Sequence, residues 1–254
     1  MIVPLLLGLS LLQTQETSQT YRLSQSVVID VNLDKLKGKL VRQLAWSPDK
    51  TQLYLMTYDA KPDASIKEAF HYVISLDSGV PKKVEAPPEW ASAYWAWKSA
   101  QTAPGEPGLK LEASDEPRRE NAIALPFGGE YAKGGTPDPS SGMSSSAAME
   151  AARGMKAYTA FMIKLKDEVV GEWINHPIVP GLTYSWGPKG SGMIAFAEPK
   201  TGRLVLMDRS GNKQKIEETK NVVLPAWTDD GTRLAYLESR GRARYALVVA
   251  TVQK

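Results

Sequence analysis

Carboxylates are the side chains in this sequence with the most to offer chemically. Asp30, Asp49, Asp59, Asp77, Asp115, Asp208, Asp229 and Asp230 form the pool from which a glycoside-cleaving pair would come. Such a pair needs one protonated and one ionised carboxyl flanking the scissile bond. Local sequence favours a plainer role. Asp49, Asp229 and Asp230 fall in hairpin turns, and Asp77 and Asp208 end apolar runs. There an aspartate bonds to nearby backbone amides and shapes the turn. A serine nucleophile is no better supported. Gly142-Met143-Ser144-Ser145-Ser146 has serine where the second outer glycine of Gly-x-Ser-x-Gly belongs, and no histidine follows His176 to act as base. Cysteine is absent, and His71 and His176 are far apart, so no metal-ligand cluster and no cofactor site is expected.

Two clusters are suited to binding. Trp90, Tyr94 and Trp95, with Trp97, make the densest aromatic group. Read as a strand, alternation puts Trp95 and Trp97 on one face and Tyr94 and Ala96 on the other. One face then packs the core and the other offers a stacking platform for a peptide or sugar. Arg240, Arg242 and Arg244 form the most basic cluster, placed to grip an anionic group or to sit solvated at a hairpin tip.

The elements that must hold these residues are short strands. Ser26–Val31, Lys39–Leu44, Leu53–Tyr58, Phe70–Asp77, Lys82–Glu85 and Leu109–Ser114 are β-branched or alternating runs. Tyr158–Leu165, Val169–Ile174, Met193–Ala197, Arg203–Asp208, Leu234–Leu237 and Tyr245–Val252 continue the pattern. Between them, about 127–155 is rich in Gly, Ser, Pro and Ala and is read as a flexible insertion, with a short helix over Ser146–Met155. A Trp-turn-strand unit recurs at Trp46, Trp97, Trp186 and Trp227. The last two are 41 residues apart, a period that suits one propeller blade. A large indole at a fixed place fills the gap between neighbouring blades.

Trp46-Ser47-Pro48-Asp49, Trp186-Gly187-Pro188-Lys189-Gly190 with Ile194-Ala195-Phe196, and Trp227-Thr228-Asp229-Asp230-Gly231 with Leu234-Ala235-Tyr236 carry a resemblance. Over most of Leu44–Val252 the chain resembles the WD40-like Pro-Asp repeat of the TolB-type β-propellers. Lys50 stands where that pattern has glycine, and Trp97-Lys98-Ser99 keeps little beyond the tryptophan. The resemblance implies an envelope setting and protein partners. The fold expected is an all-β propeller of four or five blades. The last unit shows no outer strand after Val252; Ser26–Val31 and Lys39–Leu44 are expected to supply it and close the ring, the alternative being an open partial propeller that needs a partner or a second copy.

A hydrophobic content of 43% over 254 residues is enough for a sizeable core, and a net charge of +3 is too small to point to nucleic acid. Residues 1–20 read as an export signal and linker, because Ile2–Leu12 is apolar but too short to span a bilayer. The propeller domain is then 21–254, with no transmembrane segment in the mature chain. The function expected is a periplasmic or secreted, non-enzymatic module that binds a protein or peptide. The alternative is a carbohydrate-active propeller with carboxylates at its channel.

Overall fold

The computed structural model describes residues 20–60, 66–98, 100–113, 159–165, 168–175, 184–198, 201–241 and 243–253. The insertion, the Ser146–Met155 helix and residues 1–19 lie outside them. The described chain forms sixteen strands and one helix. The strands are β1 (Arg22–Asn32), β2 (Leu40–Trp46), β3 (Gln52–Ala60), β4 (Ile66–Ser75), β5 (Pro81–Val84), β6 (Thr102–Ala103), β7 (Glu106–Ala113) and β8 (Thr159–Leu165). They continue with β9 (Glu168–Asn175), β10 (Tyr184–Trp186), β11 (Ile194–Ala197), β12 (Leu204–Met207), β13 (Lys213–Ile216), β14 (Val222–Trp227), β15 (Arg233–Ser239) and β16 (Arg244–Gln253). The helix, α1 (Glu89–Lys98), stands between β5 and β6.

These strands make four antiparallel four-stranded sheets, in the orders β2-β3-β4-β5, β6-β7-β8-β9, β10-β11-β12-β13 and β14-β15-β16-β1. Each sheet is a meander of neighbours in sequence except the last. There β1 returns to pair with β16 from Arg22↔Gln253 to Asn32↔Arg244. The N-terminal strand therefore supplies the missing outer strand, as expected. The Lys39–Leu44 run does not share that role, because it falls mainly in β2 and begins the first sheet.

The first and fourth, the third and fourth, and the second and third sheets pack against one another, which gives the described residues a propeller-like architecture. One apolar cluster joins the first and fourth sheets, with Trp46, Leu55, Ile29 and Leu247 among its members. A second joins the third and fourth through Trp227, Leu204 and Tyr236. A third joins the second and third through Trp186, Leu111 and Phe196. Two of the indoles also lock across a junction. Trp46 Nε1 donates to the Ala226 carbonyl at 2.9 Å, and Trp186 Nε1 donates to the Ala100 carbonyl at 2.6 Å. Each such bond satisfies a buried polar group that burial alone would penalise.

β14 shows how proline is accommodated. All six residues of Val222–Trp227 are buried, yet Pro225 has no amide to donate. The ladder with β15 shifts register between Val223 and Ala226, and Leu224 there has φ of 52°. A bulge in a strand with only one sheet neighbour tolerates the missing donor.

The hairpin turns repeat one hydrogen-bond pattern. Ser47 Oγ accepts from the Gln52 amide, donates to its carbonyl, and also donates to Asp49. Thr228 Oγ1 makes the same bonds to Arg233 and to Asp230. Thr51 and Thr232 each donate to their turn's aspartate through both amide and hydroxyl. Lys50, with φ of 59°, occupies the left-handed position that Gly231 fills at 69°. The turns also abut. Lys50 pairs with Asp230, and Gly231 lies so close to Pro188 that an added Cβ would meet its ring.

Candidate functional site

The aromatic second unit is a helix, and this corrects the strand reading. Pro88 opens it, its carbonyl accepting from the Ala91 and Ser92 amides. Glu89 sits in the first turn and Lys98 in the last, both suited to the helix dipole. Three alanines favour the helix over a strand. Those terminal signals were present in the sequence. They were outweighed by the tryptophan-rich strand chemistry of the other units.

At about 100° per residue, the helix sorts these side chains differently from a strand. Ala91, Tyr94 and Lys98 share the buried face. Glu89, Ser92, Ala93 and Ala96 share the exposed one. Trp90 and Trp97 border that face on one side and Trp95 on the other, all three partly buried. Trp95 and Trp97 are therefore separated rather than stacked on one face. Trp90 meets Tyr54 edge-on at 6.4 Å, and the Tyr54 hydroxyl is 2.7 Å from His71 Nδ1.

α1 packs against both β2 and β10, and β14 packs against the same two strands. The buried face of the helix thus meets the inner strands of its neighbours. Tyr94 donates its hydroxyl to the Trp227 carbonyl at 2.7 Å, and burial pushes its pKa well up. Lys98, only 1% exposed, donates from Nζ to the Gly187 carbonyl at 3.3 Å. Its Nζ lies 3.5 Å from the centroid of the Trp97 ring and 5.8 Å from that of Tyr94.

Desolvation pushes the Lys98 pKa down to about 6, against the upward pull of Asp229 and Asp230. At neutral pH the amine is largely uncharged. An uncharged amine is a base and a nucleophile, but this one is enclosed and ties the end of α1 to Gly187, just after β10. Sequence reading passed over Lys98. The signal available was its place in a helix's last turn beside a tryptophan.

Asp49, Asp208 and Asp230 are held in their own turns, whereas Asp30 lies in β1 and Asp59 in β3. Asp49 and Asp230 organise their hairpins as described. Hydrogen bonds from Ser47 and Thr51 hold the Asp49 carboxyl below its usual range. Burial pulls the Asp230 pKa up, but bonds from Lys50, Thr228 and Thr232 prevail and hold it far below normal. Asp208 accepts from the Ser210 and Asn212 amides at 2.8 and 3.0 Å. A cavity of about 380 Å³ lies beside it, between Tyr21 and the third sheet, floored by Met193, Leu206 and Met207. Asp229 differs from the rest. It stands where the first and third turns have Pro48 and Pro188, and its charge bears on Tyr94 and Lys98.

The remaining candidates are placed apart from α1. Arg240 and Arg244 are exposed at the β15–β16 hairpin, where the Arg240 amide donates to the Arg244 carbonyl. Arg242, His176, Asp115 and the Gly142–Ser146 run lie outside the described residues. Among the described residues no helix is long and apolar enough to cross a membrane, and no group of three His, Cys, Asp or Glu could hold a metal ion.

No family model matches the chain, and no curated protein matches it. Solved structures give remote likenesses. TolB from Acinetobacter baumannii is 7% identical with a TM-score of 0.29, over 84% of this chain and 43% of that one. An acylaminoacyl peptidase from Pyrococcus horikoshii is 14% identical with a TM-score of 0.24, over 78% of this chain and 28% of that one. Regucalcin, a calcium-binding protein from Agrobacterium tumefaciens, is 12% identical with a TM-score of 0.35, over 87% of this chain and 94% of that one. The chain thus spans less than half the length of the first two. Likenesses this remote carry no argument about activity.

Proposed function

We propose that the chain is a four-bladed propeller, closed by β1, that binds a protein or peptide partner outside the cytoplasm and has no catalytic activity of its own. The contacts β2 to β14, β14 to β10, and α1 to both β2 and β10 support the four-part ring. In it α1 precedes the second sheet, whose first strand, β6, is only two residues long, and bridges β2 and β10.

The observation that carries the binding reading is the exposed face of α1. Ser92, Ala93 and Ala96 leave a shallow surface bordered by Trp90 and Trp97 on one side and Trp95 on the other. Partly buried indoles at the rim of a shallow surface supply contact area at little entropic cost, which is how aromatic anchors work at interfaces. The acids tied into turns at Asp49, Asp208 and Asp230 fit a scaffold better than a channel of reacting carboxylates.

The test is site-specific photo-crosslinking in an envelope extract. A crosslinker at Ala93 is expected to give a discrete adduct, and one at exposed Val80, at the β4–β5 turn, is not. The same pattern from both positions, or no adduct from Ala93, would remove the basis for the proposal.

A further inference from the structure

The four sheets differ in how their open outer edges are guarded. An unpaired edge offers backbone donors and acceptors to any passing strand, and charged side chains are the common guard. β5 carries Lys82 and Lys83, and β13 carries Lys213 and Lys215. β1 carries Arg22 at its start and Asp30 near its end, and the seven residues between them, Leu23 to Ile29, are uncharged. A bulge between Gln25 and Val27 disturbs its first half. Val27 to Asn32 is regular, pairs among the described residues with β16 on one side only, and holds Val28 at 48% exposure.

The end of β1 leads into a basic band. Lys35, Lys37 and Lys39 follow on the loop to β2, all exposed. The Leu33 amide donates to the Ala243 carbonyl at 2.8 Å, so this loop lies against the hairpin that carries Arg240 and Arg244. Lys83 joins from β5, sharing the Phe70 ring with Lys37 at 5.7 and 5.9 Å from its centroid. Among the described residues, none of these six cations is in an ion pair. Gathered like charges repel, and an anionic partner relieves the repulsion and is steered toward it.

We propose that the β1 edge and this band together receive one extended polypeptide segment. Its β-branched part adds a strand beside Val27–Asn32, and acidic residues at its N-terminal end lie on the basic band. That polarity follows from antiparallel pairing, the arrangement of every sheet here, because such a strand begins where β1 ends. The band alone would suit any anion. The bare edge beside it is what selects a polypeptide, since only a backbone can extend the ladder. The proposal uses none of the α1 side chains and stands or falls separately from that surface.

The test uses the full chain and two labelled peptides, Glu-Glu-Asp-Glu-Thr-Val-Thr-Val-Thr and its counterpart with Gln and Asn for the acids, read by fluorescence anisotropy. The acidic peptide is expected to bind and its neutral counterpart to bind about tenfold more weakly or worse. Val28→Lys and the double variant Lys35→Glu/Lys39→Glu are each expected to weaken the acidic peptide about tenfold, with unchanged melting temperatures. If either variant fails to fold, Arg240→Glu/Arg244→Glu takes its place. Amides of Val27–Asn32 should gain protection from hydrogen exchange on binding. Equal binding of both peptides, or no binding, overturns the proposal. So does an unaffected Val28→Lys variant together with equal binding of anionic lipid vesicles, which would mark the band as a simple anion site.

Discussion

Tyr94 and Trp227 are 133 residues apart in sequence, and the Tyr94 hydroxyl donates to the Trp227 carbonyl across 2.7 Å. The bond ties α1 to β14, two elements in different sheet units. It takes up a backbone acceptor in the dry interior, where a missing partner is costly.

Tyr94→Phe tests that tie. It removes the donor, keeps the ring and leaves the Trp227 carbonyl without this bond. The expected loss is about 1–3 kcal/mol, read as a lowered denaturation midpoint with an unchanged slope. Trp90→Phe, at a half-buried site on the rim, should cost less. No loss on Tyr94→Phe would mean that the hydroxyl contributes nothing.

Lys98 sets a pH dependence. Its amine is mostly neutral in the folded chain above about pH 6, while an unfolded lysine keeps its proton up to about 10.5. Unfolding therefore takes up a proton between those values, and the unfolded state binds more protons. Stability should rise with pH across that window by up to about 1.4 kcal/mol per unit, and this contribution should level off below pH 6. Lys98→Met should flatten the slope. Denaturation curves from pH 6 to 9.5 on both proteins decide it, and parallel profiles would show that Lys98 titrates normally.

Gly231 and Gly190 separate backbone strain from packing. Both have positive φ, 69° and 77°. An added Cβ at Gly190 meets nothing, whereas at Gly231 it would press on Pro188. Gly190→Ala should cost about 1–2 kcal/mol from conformation alone. Gly231→Ala should cost at least about 1 kcal/mol more, because it also pushes the fourth turn off the third. Thermal melts of the two variants give the comparison.

The repeat was legible because its chemistry is local. Tryptophan, a turn aspartate, a residue tolerant of positive φ and an alternating strand fall within about a dozen positions, and Ser47 and Thr228 show the same bonds the turn residues imply. β1 was legible as the partner of β16 because the last unit showed no outer strand after Val252. α1 was not. Trp95 and Trp97 look alike in a strand or a helix, and only Pro88, Glu89 and Lys98 at its ends argue for the helix. Lys98 was hidden for another reason. Its burial depends on Gly187, 89 residues away, and nothing in its own neighbourhood reports that. The basic band was half visible, as Arg240 and Arg244. Its other half, Lys35 to Lys39, joins it only through the β1–β16 pairing.

Binding at α1 is the centre of the account, and affinity for the protein captured through Ala93 is its most direct measure. Ala96→Arg puts a long cation between the bordering tryptophans, and Val80→Arg puts the same group on another exposed surface. Titration calorimetry should show Ala96→Arg weakening the captured partner about a hundredfold or more, with Val80→Arg equal to wild type. Equal affinity of both variants for that partner would contradict the account.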